Sequence, residues 1–233
     1  MRTPREIYAQ YNTMPNLQLH QLRVAAVGKM ICENFSSGGG SASGGKKPVN
    51  KNDIILACLF HDMGNILKFN LTYFPEFLEP QGLEYWERVK SEYKEKYGRD
   101  QHEASKKIAR EIDLSAAVVE IIDMIGFSKI GDALAGDSFE NKICVYADSR
   151  VGPRGVLTLE ERFIDGRKRY LARGVMNDKE KEVTAQRDTF EALIELAHKL
   201  ETQIFAAAMI RHEDITDTTV APIIEELWEY PVA

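Results

Sequence analysis

The sequence predicts an all-α fold with one core. Three observations carry this: hydrophobic spacing is helical almost throughout, alternating strand patterns are absent, and helix start and stop signals recur along the chain. Residues 16 to 35 place His20, Val24, Val27 and Ile31 on one stripe, the i, i+4, i+7, i+11 pattern of a buried helix face. The imidazole of His20 therefore points inward. Residues 50 to 63 open with Asn50 and Asp53 at capping-box spacing, then run from Ile54 to Phe60 without a polar break, which predicts a helix buried on every side. Residues 66 to 81 hold two prolines and several aromatics and read as a long ordered loop able to roof a pocket. An amphipathic, mostly exposed helix over 82–98 ends at Gly98.

Asp100 and Glu103 mark the next helix start, and Ser115 opens another over VVEIIDMI. Residues 138 to 150 give a further apolar helix, and Thr158 with Glu161 caps a charged one. A long helix from about 180 to 212 and a shorter one over Thr218 to Tyr230 complete the chain. Residues 1 to 175 read as the main helical domain. Residues 176 to 233 form a C-terminal helical extension that either packs on that domain or makes a homodimer contact. The segment 36–45, SSGGGSASGG, reads as a flexible internal loop without chemistry.

Composition narrows the function. In 233 residues, 44% hydrophobic and 28% charged residues exclude a fibrous or wholly disordered chain. The net charge of −6 offers no field to hold duplex nucleic acid. No apolar run is long enough to cross a bilayer and the N-terminus has no apolar export segment, so a cytoplasmic location without membrane association is expected. Cys32, Cys58 and Cys144 lack CxxC spacing and sit in apolar runs, as reduced core residues do.

The strongest chemical signal is His61-Asp62, which ends seven consecutive apolar residues. A carboxylate there is desolvated and close to the negative end of a helix dipole, so it needs a positive partner. Lys68 is the nearest basic side chain, which leaves two readings open: an ion pair or metal ligation. Asp148 repeats the predicament. It follows Ile143 to Ala147 near a helix end, with Arg150 or Arg154 as alternative partners. His20 alone reads more readily as a hydrogen-bonded core histidine than as a ligand. Together, two inward histidines and two inward aspartates form a mixed nitrogen and oxygen set that suits a divalent transition metal.

The order His20, His61-Asp62, Asp148 on helices resembles the H…HD…D signature of the HD-domain metal-dependent phosphohydrolase superfamily, over residues 16 to 155. The resemblance implies an HD-like helical bundle in which His20, His61, Asp62 and Asp148 hold one divalent metal ion (Mn, Fe, Co, Ni, Zn or Mg). His102, in DQHEASKK, is similar to the HE segment that many members place between the HD pair and the final Asp, where the histidine faces the substrate phosphate or a second metal. Its alternative is an ordinary, partly exposed histidine near a helix start. Asn65 stands where HDIGK subfamilies carry Lys, and the acid of the HDxxE subfamilies is missing.

The implied activity is hydrolysis of a phosphomonoester or phosphodiester of a small molecule, a nucleotide being the leading class. Asp62 and His102 are the catalytic candidates, and Lys68, His102, Arg150 and Arg154 the candidates for binding substrate. The alternative is a signalling module with the same fold that binds metal and nucleotide and turns nothing over.

Overall fold

Most helix starts in the chain are set by one side-chain oxygen capping a backbone N–H two or three residues on. A computed structural model describes residues 1–35, 48–174 and 180–232. Its order is α1 (Pro4–Gln10), α2 (Pro15–Glu33), α3 (Lys51–Phe60), α4 (Leu83–Tyr97), α5 (Gln101–Glu111), α6 (Ala116–Met124), α7 (Ile130–Ala135), α8 (Phe139–Ser149), α9 (Leu159–Gly174), α10 (Glu180–Phe205) and α11 (Asp217–Leu227). Among the described residues only isolated bridges, such as Phe35 with Ala208, occur outside the helices, and the fold is all-α.

Asn50, Asp100, Ser115 and Thr158 cap their helices as the sequence predicts, and Ser138 caps α8. One detail differs. The Asp53 side chain is too short to reach back to the Asn50 N–H and instead accepts from Asn50 Nδ2 at 2.7 Å, leaving that N–H to Glu140 Oε1 at 3.0 Å. Thr158 and Glu161 complete a reciprocal box. The loop after α3 contains short 3-10 turns at Asn65–Lys68 and Pro75–Leu78.

The final elements are shorter than expected. α10 stops at Phe205 rather than near residue 212, because the chain turns off to let the Met209 N–H donate to Asn34 O at 2.8 Å. α11 begins behind its cap Thr216 and ends at Leu227. The 36–45 segment and the 175/176 division lie outside the described residues.

The core is organised around α2 and α3. α3 is buried on all sides from Ile54 to Phe60, and α2 packs along it, with Leu22, Val24, Ala25, Val27 and Ile31 all buried. Close approach depends on Gly28, where an added Cβ would meet Cys58 Sγ and Ile54 Cγ2 at 3.2 Å. α8 packs against both helices with Ile143 to Ala147 buried, so α2, α3 and α8 form the triangle that carries the site. α10 lies on α7 and α8, and α11 on α2, so both helices pack onto elements of their own chain. All three cysteines are buried free thiols.

Candidate metal centre

Each wall of the triangle contributes one part of a four-residue cluster. α2 presents His20 in its second turn, α3 ends in His61 as its C-cap followed by Asp62, and α8 presents Asp148 in its last turn. His20 Nε2 lies 3.6 Å from Asp62 Oδ2 and 3.3 Å from Asp148 Oδ1. His61 Nε2 lies 3.7 and 3.6 Å from the same two oxygens. The ligand atoms of His20, His61 and Asp62 all fall within 4.8 Å of one another. Asp148 closes the set through its short approach to both imidazoles.

The cluster is buried on one side and open on the other. The His61 side chain is 3% exposed, whereas those of His20, Asp62 and Asp148 are 17%, 19% and 20% exposed. Two helix C-termini, of α3 and α8, aim their negative dipole ends here and favour a cation. The Asp62 N–H is held by Gln21 Oε1 at 3.1 Å, which ties the HD turn to α2. The Gly64 N–H donates to Ser105 Oγ at 2.9 Å, which ties the same turn to α5.

Tautomer and electrostatics decide what the cluster accepts. His61 Nδ1 lies 2.9 Å from Cys58 O, an acceptor only, so Nδ1 carries a proton. Nε2 then faces the two carboxylates beyond hydrogen-bond range and is buried without a partner. A divalent cation between these four groups gives Nε2 its missing partner and neutralises both carboxylates, so the residues fit such an ion. In the metal-free protein a proton takes that role. Burial opposes the charged imidazole of His61, but Asp62 and Asp148 together outweigh it and push His61 up to about 9. Burial likewise opposes ionisation of Asp148, yet its contacts with His20 and His61 hold it well below the ordinary carboxylate range.

The sign of the resulting pH dependence follows by linkage. A group raised on folding, as His61 is from 6.5 to about 9, contributes stability that is complete below 6.5 and lost as pH rises through about 9. A group lowered on folding, as Asp148 is from 3.8, contributes above 3.8 and loses that contribution as pH falls further. In chelator, the melting temperature of the wild type relative to Asp148→Asn should therefore be highest between about pH 4 and 6.5 and decline toward pH 9.5. A difference that stays flat from pH 6 to 9.5 contradicts this electrostatic picture.

The other site candidates are placed differently. Lys68 is exposed and, among the described residues, forms no ion pair with Asp62, so the ion-pair reading of that carboxylate is set aside. His102 is exposed in the first turn of α5, and its ring makes no hydrogen bond to the cluster. Arg154 is exposed and pairs with Glu76 at 2.8 Å across the loop after α3.

Arg150 corrects the expectation of a substrate contact. It is 2% exposed, and all three of its nitrogens are engaged inside the protein, by Leu157 O, His212 O, Ile215 O and Tyr146 Oη, so it is not available to a ligand in solution. Nor does it pair with Asp148. It stitches the end of α8 to the segment before α11. Arg150→Gln should lower stability by about 3 kcal/mol, measured by denaturant unfolding, because buried carbonyls lose charged donors. Metal uptake should survive; loss of uptake with unchanged stability would reverse the assignment.

Sequence reasoning missed Gln21 and Ser105, which position the HD turn. Gln21 is visible as a polar residue beside His20 in an apolar helix, whereas nothing local marks Ser105.

An all-α bundle that gathers two imidazoles and two carboxylates at the ends of its helices is a helical domain with a candidate metal centre. A family model for the HD domain matches residues 18–165, and the chain belongs to the HD domain family, whose members are generally hydrolases that bind divalent metals. No curated protein and no solved structure matches the chain. Among the described residues no helix is long and apolar enough to cross a membrane.

Proposed function

We propose that this chain is a metal-dependent phosphohydrolase that cleaves a phosphate ester of a small molecule, with nucleotides as the leading substrate class. The observation that carries the reading is the buried, unpartnered Nε2 of His61 facing two carboxylates on a side that opens to solvent. His20, His61, Asp62 and Asp148 would hold one ion, which supplies Lewis-acid polarisation of phosphate and makes water a stronger acid.

The protein's own groups do the rest. Cys58 O fixes the His61 ring through Nδ1 and keeps Nε2 aimed inward. Asp62 turns Oδ2 toward the imidazoles, which leaves Oδ1 to accept a proton of the attacking water and orient it. His102 stands at the start of α5, whose first turn packs on the HD turn at Gly64, and is the candidate to protonate the leaving oxygen or hold the phosphate. Lys68 and Arg154, both exposed, are candidates for longer-range phosphate contacts.

The test is phosphate release from a panel of nucleotides and other esters by protein loaded in turn with Mn, Fe, Co, Ni, Zn and Mg. Release that Asp62→Ala abolishes supports the reading. No release from any ester at full occupancy overturns it, and tight nucleotide binding under those conditions would point to a signalling module instead.

A further inference from the structure

Arg23 and Arg150 are both drawn into the fold, and they use their donors in opposite ways. Every arm of Arg150 ends on an oxygen of the protein. The Arg23 side chain is 15% exposed, and its one ion-pair partner among the described residues is Asp217, with Nε 3.8 Å from Oδ1. That distance is too long for a hydrogen bond, and the same oxygen already accepts from the Val156 N–H at 3.0 Å. Burial lowers the Arg23 pKa and Asp217 opposes this only in part. A guanidinium held largely out of water, with no hydrogen bond from its N–H groups among the described residues, costs stability, and an anionic ligand offsets that cost.

The surroundings say where such a ligand lies. Arg23 follows His20 by three residues, so the two share a flank of α2 about one turn apart. It lines a groove of about 340 Å³ together with Asn16, Leu19, Phe77, Glu79 and Arg154. That volume is at the lower end of small-molecule sites. Leu19 and Phe77 give it apolar walls. Arg154 is already paired with Glu76, whereas Glu79 has no ion-pair partner among the described residues.

We propose that Arg23 is the phosphate-binding residue of this groove, and that the groove accepts a single phosphate carrying one small organic group, which lies between Leu19 and Phe77. The guanidinium fork matches two phosphate oxygens, while the unpaired Glu79 repels the extra charge of a polyphosphate. The assignment rests on the phosphohydrolase reading for its purpose, but binding can be measured without turnover.

The experiment is calorimetric titration of the full chain with phenyl phosphate and with pyrophosphate, in chelator and again with Mn²⁺. Phenyl phosphate should bind more tightly than pyrophosphate in chelator. Arg23→Gln should weaken phenyl phosphate binding by about tenfold or more in both conditions. Arg23→Lys, which keeps the charge but loses the fork, should recover part of the affinity, and Arg88→Gln, an exposed arginine of α4, should change nothing. If Arg23→Gln fails to fold, the several-fold loss expected for Arg23→Lys decides the matter. Unchanged affinity in the folded Arg23 variant, or no binding of phenyl phosphate by the wild type, overturns the proposal. Binding that depends on Arg23 without hydrolysis of any ester would sink the phosphohydrolase reading alone. Hydrolysis with KM and binding indifferent to Arg23 would sink this assignment alone.

Discussion

Asp148→Ala is expected to remove divalent-metal binding while leaving a folded protein. Asp148 Oδ1 is the oxygen nearest to His20 Nε2, at 3.3 Å, and also lies 3.6 Å from His61 Nε2. Loss of even an outer-sphere partner typically costs 10–100-fold in metal affinity, so loss of a ligand should exceed about 100-fold. The metal-free protein should change less, because the variant removes one of two carboxylates from a cluster that has too few cations. The contrast is measurable by thermal shift. At a metal concentration of 100 Kd, the wild type should gain about 2.7 kcal/mol of stability, and Asp148→Ala should gain almost none at that same concentration. A variant that retains the full metal-induced shift would remove Asp148 from the centre.

Gly64→Ala should be the most damaging small substitution. Its φ of −88° suits any residue, so conformational freedom is not what the position requires. Space is. An added Cβ would lie 2.3 Å from Gln101 O and 2.7 Å from Ala104 Cβ, both on α5. The backbone of α5 must move, and the Ser105 hydrogen bond to the Gly64 N–H goes with it. The expected cost is about 3 kcal/mol, at the upper end of overpacking, and with it a fall in melting temperature of about 6 °C or more. Because Asp62 belongs to the same turn, metal affinity should fall as well. A melting temperature within about 2 °C of the wild type would mean that α5 does not seat against the HD turn as described.

How far the site was legible depends on the kind of information each residue carries. His20 could be placed because helical spacing puts it on the buried stripe with Val24 and Val27. His61-Asp62 and Asp148 stood out because charge at the end of an apolar run demands a partner. The identity of those partners was not local. Lys68 is close to Asp62 in sequence, yet it is exposed, while the imidazoles beside Asp62 are His20 of α2 and the adjacent His61. Arg150 looked like a substrate contact for the same reason. The carbonyls of His212 and Ile215 that claim it are more than 60 residues away, and no sequence pattern announces them.

The helices show the same division. Those with a cap and a sustained stripe were readable, but α10 overran because AAAMI has helical composition, and only the pairing of that segment with Asn34 turns it away. α1 was missed although its signal is present. Thr3 and Glu6 form a capping box around Pro4. α7, six residues long with Gly131 inside, has too little periodicity to detect. Arg23 also had a signal, a lone charge in the apolar run LRVAAVG one turn from His20.

The central claim is that three helices close four side chains around one cation. Titration of chelator-stripped protein with Mn²⁺, followed by removal of free metal and elemental analysis, tests it most directly. The expected result is one ion per chain in the wild type, accompanied by proton release as the His61 imidazole is deprotonated, and none in His20→Ala or Asp148→Ala. Wild-type protein that takes up no ion, or alanine variants that keep it, would contradict the account.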